Sequence, residues 1–213
     1  MKFLFLINIL LFAGEIEFCK IKIDNHNFQI SKNEITYSQY VKYLNQARFQ
    51  DSLTINENKI FGYFKNKDII KNNYVPYFYN LDTSCTKIDE PSICMNNGEF
   101  YLNNGRFKNH AINFVTWFGA NKFADYYNYN IPLKYEWEVA AKLDTLSLEN
   151  MIGGVSEWVT DLWVPNSHYS HRIIKGGSTK QPNNKKFLNA DSIQANFPSH
   201  ASKFVGFRVI IRY

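Results

Sequence analysis

His110-Ala-Ile-Asn-Phe-Val-Thr-Trp117, Ile131-Pro-Leu-Lys-Tyr-Glu-Trp-Glu-Val-Ala-Ala141, Asn150-Met-Ile-Gly-Gly-Val-Ser-Glu-Trp-Val-Thr-Asp161 and Lys175-Gly-Gly-Ser178, the last followed by Val205-Gly-Phe-Arg-Val209, occur in that order in the C-terminal half of the chain. Each block carries Trp, Gly or Glu at positions that neither a 3.6-residue nor a 2-residue apolar period explains. Thr116 stands where a helix N-cap is expected, and Trp117, Ala120, Phe123, Ala124 and Tyr127 give that helix its apolar face. A further helix is expected after Pro132, running through Trp137, Ala140 and Ala141. Gly176 and Gly177 fit a backbone turn beneath the aromatic core. They lack the Gly-x-x-x-x-Gly-Lys spacing of a phosphate loop.

Working outward, the N-terminal third has simpler patterning. Ile21, Ile23, Phe28 and Ile30 alternate around Asp24-Asn25-His26-Asn27, as a hairpin does. Thr36 and Gln39 have capping-box spacing, and Tyr37, Tyr40, Val41 and Leu44 form a helical stripe behind them. From Phe49 to Phe107 the chain is rich in Asn, Lys and Tyr, with Gly62 and Gly98 at turns and a short strand expected at Glu99–Leu102. At the C-terminus Phe207, Val209, Ile211 and Tyr213 alternate with Arg208 and Arg212, which predicts a strand with polar residues facing out.

A chain of 213 residues, 45% hydrophobic and 17% aromatic, suffices for one domain with a core. The net charge of +5 is mild, and the lysines are scattered among asparagines. That excludes the clustered basic stripe of a nucleic-acid surface. Lys2 followed by the apolar run Phe3–Phe12 and the small residue Ala13 reads as an export signal. Residues 1–18 are assigned to it, with the cut open between Ala13 and Phe18, and residues 19–213 to the domain. The run is too short for a stable membrane anchor. Ile16-Glu17-Phe18 before Cys19 does not suit lipid attachment. The expected location is therefore periplasmic or secreted. In such a compartment Cys85 and Cys94 can pair across their polar loop, which would stabilise by about 2–3 kcal/mol. No Cys-x-x-Cys spacing points to a metal. His168 and His171 have zinc-pair spacing but no third ligand at motif distance, and Glu136 and Glu138 point in different helical directions.

The four blocks, together with Phe28-Gln-Ile-Ser-Lys-Asn-Glu-Ile-Thr-Tyr-Ser-Gln-Tyr40, resemble the formylglycine-generating enzyme family, also called the sulfatase-modifying factor domain. The resemblance spans essentially the whole mature chain. It implies an α+β domain with a C-type-lectin-like topology and high irregular content. It also implies a copper site of two cysteines in the oxidising members, because soft thiolates suit Cu(I). Aligned on Gly206-Phe207-Arg208 and on Pro198, those positions are Lys185 and Ala190, and an expected arginine is Ile193. No cysteine follows Cys94. Copper and cysteine-dependent oxidation are therefore not expected.

Only Lys142 to Glu149 stands where many members carry a long loop, so that loop's calcium site and substrate-facing wall are expected to be missing. A second calcium loop does carry over by resemblance. Its ligands would be the Asn150 side chain, the Gly153 and Val155 carbonyls and the Glu157 carboxylate, all hard oxygen donors. The metal-free alternative is a turn in which Glu157 caps backbone amides. The family's usual asparagine is Gly154 here, and a usual tryptophan is Ser156.

Three functions stay open at this stage. The first is an exported binding or maturation factor for a client protein or peptide. The second is a family enzyme with a non-cysteine site, bordered by Lys185, Asn189, Asp191, Gln194 and Asn196. The third is a lectin-like ligand-binding module. No catalytic residue is assigned.

Overall fold

The computed structural model describes residues 16–23, 26–65, 74–143, 147–164, 171–183 and 185–213. Residues 1–15 of the expected export signal, His168 and the expected hairpin tip at Asp24 and Asn25 lie outside them. The chain opens with β1 (Phe18–Ile23) and β2 (His26–Ser31), then α1 (Tyr37–Ala47). Short strands follow: β3 (Thr54–Asn56), β4 (Lys59–Tyr63), β5 (Tyr74–Phe78), β6 (Ile93–Asn96) and β7 (Glu99–Leu102). Next come α2 (Trp117–Tyr126), α3 (Lys134–Lys142), β8 (Ser156–Leu162) and β9 (Arg172–Lys175). The chain closes with β10 (Gln194–Asn196), β11 (Val205–Gly206) and β12 (Ile210–Arg212).

Local chemistry accounts for the helix starts. At α1 the Thr36 hydroxyl accepts from the Gln39 amide, while the Gln39 side chain accepts from the Thr36 amide (2.9 Å). This reciprocal cap satisfies two amides that the first turn leaves without partners. At α2 the Thr116 hydroxyl accepts from the Gly119 amide (3.0 Å). At α3, where Leu133 has no capping side chain, the Glu136 carboxylate accepts from the Leu133 amide (2.6 Å).

The expected hairpin forms, with Ile21 opposite Phe28, and β12 adds to its β2 edge. The terminal strands thus close one three-stranded sheet, β1-β2-β12. A second sheet, ordered β10-β9-β8-β11, carries the Trp158 segment between β9 and the short parallel β11. The 49–107 region builds a three-stranded and a two-stranded sheet and keeps much irregular backbone.

Two apolar clusters hold the molecule together. The larger packs Tyr40, Tyr43, Phe78, Phe118, Phe123, Trp158 and Phe207 between α1, α2 and the central strands. The smaller packs Ile21, Phe28, Ile30, Trp137, Val159 and Ile210 beneath α3. Ile16 and Phe18 already lie against the larger cluster. Gly176 (φ +84°) passes under Trp137, and a Cβ there would stand 3.1 Å from the ring and 2.6 Å from the Met151 carbonyl. Only glycine fits that crossing.

Two expectations need correction. The C-terminal alternation fails, because Phe207, Arg208, Val209 and Ile210 are all buried and only Ile210–Arg212 pairs as a strand. Both faces of this segment are covered, so a polar residue there must find internal partners and cannot turn to water. Trp163, whose place in the sequence reads as core-like beside those of Trp117, Trp137 and Trp158, is 50% exposed, beyond the irregular end of β8.

Candidate functional site

A cavity of about 1110 Å³ is an open groove between residues 33–39, residues 109–114 and the loop of residues 150–155. Its floor comes from the loop that links β2 to α1, and its far wall from the glycine block before β8. Three features fix that loop. Asn150 adopts a left-handed conformation (φ +55°), Gly153 another (φ +89°), and the Gly153 amide donates to the Gly176 carbonyl. The Gly153 carbonyl accepts from both the backbone amide (3.0 Å) and the hydroxyl (2.9 Å) of Thr179.

Directly behind the loop lies a buried charge cluster. Glu157 and Arg208 are both 0% exposed. The Arg208 guanidinium donates to both Glu157 oxygens at 2.7 Å, and the Trp137 indole N–H donates to Oε2 at 2.6 Å. The remaining guanidinium donors go to the Ser31 (2.9 Å), Lys32 (3.3 Å) and Glu149 (3.0 Å) carbonyls. Burial lowers the Arg208 pKa, but the attraction of Glu157 outweighs it and the net shift is upward. Bidentate pairing with full satisfaction is what permits two charges so far from water.

A second carboxylate joins this pair from the groove side. Glu34 is 4% exposed and accepts from the Asn150 amide group and the Val155 backbone N–H, each at 3.3 Å. Burial, followed by repulsion from Glu157, pushes its pKa up to about 7. Gly154 makes the approach possible, since a Cβ at that position would meet Glu34 Oε1 at 2.2 Å. Two buried carboxylates therefore lie in the field of one guanidinium, which hydrogen-bonds to Glu157 alone of the two.

Of the four residues expected as a calcium set, Glu157 and Gly153 already have their donor oxygens engaged with the protein. The Glu157 carboxylate is enclosed by Arg208 and Trp137, and the Gly153 carbonyl by Thr179. Calcium asks for six to eight oxygen donors, and the set's sole carboxylate is held by a cation. As arranged, the set does not fit the ion. Glu157 anchors Arg208 and the Trp137 indole, not backbone amides as the metal-free alternative had it.

The residues expected to border a catalytic site lie elsewhere, and none of them lines the groove. Lys185 is exposed on a short 3-10 turn, and Ala190 and Ile193 pack against the smaller core. Asn189 caps its own turn by accepting from the Asp191 and Ser192 amides, and Asp191 pairs with Lys142. Gln194 and Asn196 sit on β10 opposite Ile174 and Arg172. Glu136 pairs with Arg212 and Glu138 with the buried Lys175, so they do face different partners. His171 stacks on Phe197 with ring centroids 4.1 Å apart. Cys85 and Cys94 form the expected disulfide, with Cα atoms 5.5 Å apart, while Cys19 is a free thiol in β1.

The Sulfatase-modifying factor enzyme 1-like domain matches residues 10–146 and 142–213 of this sequence. The chain belongs to this family. The two matched segments overlap at residues 142–146, inside the Lys142–Glu149 stretch. Among solved structures, the chain is similar to CarF at 13% identity, with a TM-score of 0.57 over 93% of this chain and 97% of that one. It is similar to Treponema denticola variable protein 1, also at 13% identity, with a TM-score of 0.50 over 95% and 98%. These likenesses concern the fold, which agrees with the α+β architecture and high irregular content expected. No curated protein matches. Glu34 is the residue that sequence reasoning passed over. It stood inside the quoted opening block, yet its partners Asn150 and Val155 are 116 and 121 positions away.

Proposed function

We propose that this sulfatase-modifying-factor-like domain is an exported binding or maturation factor that holds a segment of a client protein in the groove, without cysteine-dependent oxidation. The observation that carries the reading is the disposition of sulfur. The two positions where resemblance puts copper thiolates are an exposed lysine and a core-packed alanine, Lys185 and Ala190. Cys85 and Cys94 are joined to each other, and Cys19 lies in the terminal sheet. Export is supported by the leader pattern and by the disulfide, which persists in oxidising compartments. Among the described residues no helix is long and apolar enough to cross a membrane. The Asn150–Glu157 loop works as an internally bonded turn in this reading.

The second reading, an enzyme with a non-cysteine site, draws on Glu34, because a carboxylate shifted to about 7 in a cleft suits a general base. It lacks a convergent partner acid, since Lys185, Asn189 and Asp191 bond within their own turn or to α3. The lectin-like reading rests on topology alone.

Cross-linking and capture from the native envelope test the leading proposal when wild type is compared with Asn109→Trp, which fills the groove from an exposed rim position. A client retained by wild type and lost in the filled variant supports it. Equal capture by both, or none above a folded control, overturns it.

A further inference from the structure

The charge count around Glu34 leaves one buried negative charge facing the groove. Arg208 spends its guanidinium on Glu157 and on three carbonyls. Among the described residues, no lysine, arginine or histidine forms an ion pair with Glu34. The hydrogen bonds it accepts from Asn150 and Val155 are both long, and these and its own backbone amide are neutral donors. A buried carboxylate in this condition either takes a proton or takes a cation. The second choice is open here because Glu34 is part of the groove wall.

The surroundings suit a cation on an aliphatic stem. Glu17, Asp89, Glu90 and Glu149 line the same groove with Lys180, Lys203 and His110. Lys32 pairs with Glu17 and Glu149, and Arg106 with Asp89, so among the described residues Glu90 and Glu34 are the groove carboxylates outside the ion pairs. Pro91, Phe107, Phe114 and Phe204 supply apolar wall, on which a lysine or arginine stem can lie while its head reaches a carboxylate. The volume exceeds that of most small-molecule pockets and is suited to a stretch of polypeptide.

We infer that Glu34 anchors a lysine or arginine side chain of a peptide segment bound in this groove. The inference rests on the groove being the client site and names the chemistry it selects. Gly154 belongs to the device, because any side chain there would drive the Glu34 carboxylate out of position.

The probes are acetyl-Gly-Lys-Gly-amide, its arginine counterpart and a norleucine control, each titrated into the folded domain while the backbone amide signals of Gly153, Gly154 and Val155 are followed. The lysine and arginine peptides should shift these signals saturably and the norleucine peptide should not. Glu34→Gln keeps the shape and should weaken binding about tenfold or more, because a charge-assisted contact becomes a neutral one. Glu90→Gln, on the exposed rim, should change it much less. Equal binding of norleucine, unchanged affinity in Glu34→Gln, or no shift at all overturns the inference. So does calcium chloride alone producing the same shifts with Glu34 required, which would make this an ion site. If Glu34→Gln still captures a client that Asn109→Trp loses, the groove reading survives and only the anchor is wrong.

Discussion

Replacing Arg208 by Met removes the buried cation that pairs with Glu157 while keeping an unbranched side chain of similar reach. Five hydrogen bonds go with it, two to Glu157 and one each to the Ser31, Lys32 and Glu149 carbonyls. What remains is Glu157 at 0% exposure with the Trp137 indole as its donor and Glu34 as a like charge. Breaking a buried pair from one side costs roughly 3–5 kcal/mol, because the surviving charge has no compensation. For a domain of this size about 2–4 °C is lost per kcal/mol, so thermal unfolding should fall by roughly 6–20 °C. Glu157→Gln should cost less, since Glu34 is close enough to serve as the alternative partner of Arg208. The double variant, Glu157→Gln with Arg208→Met, should recover part of the Arg208→Met loss, as neutralising both members of a buried pair usually does. Unfolding followed by circular dichroism on all three proteins decides it. A drop of less than about 2 °C for Arg208→Met, or a double variant worse than the sum of the singles, would refute the placement of this pair at the structural centre.

Glu34 titrates near 7 in the folded protein and near 4.5 when unfolded. The folded state therefore holds the extra proton between those values, and stability falls as pH rises from about 4.5 to 7, by about 3 kcal/mol in all. Glu34→Gln should remove that slope, matching wild type in acid and exceeding it at pH 8 in denaturant titrations; a parallel slope in both proteins would contradict the assignment. Gly154→Ala should destabilise by about 1–3 kcal/mol, since its Cβ meets Glu34 at 2.2 Å and Asn150 at 2.8 Å; a silent substitution would show that the loop is looser than described. Millimolar calcium or a chelator should leave the thermal midpoint unmoved, while a calcium-dependent rise lost in Glu157→Gln would restore Asn150, Gly153, Val155 and Glu157 as an ion site. Opening the Cys85–Cys94 bridge with paired serines should cost about 2–3 kcal/mol, read as a lower denaturant midpoint, because the bridge joins residues only nine positions apart.

Local signals were legible in the sequence and distant ones were not. The Thr36–Gln39 cap and the Thr116 start of α2 need only neighbours within one turn, and both form as the residue types dictate. The Cys85–Cys94 pairing and the turn at Gly176 were also readable, for the same reason. Glu157 was recognisable as an important carboxylate, but its partner Arg208 lies 51 positions on, in a segment whose alternation suggested an exposed side chain. Periodicity assumes one wet face, and the C-terminal segment has none. Glu34 gave no pattern at all, because its neighbourhood is made by a loop more than a hundred residues away. The polar residues around Asn189, expected to border a ligand site, bond within their own turn and leave the groove to other residues.

The proposed absence of thiol-based oxidation is tested most directly by incubating the purified domain with Cu(I), oxygen and a cysteine-bearing peptide, and measuring aldehyde on the peptide by mass spectrometry. The account predicts no aldehyde above a copper-only control, with Cys85 and Cys94 still joined. Aldehyde that appears with wild type and vanishes with Cys19→Ser, or with the Cys85 and Cys94 pair replaced, would contradict it.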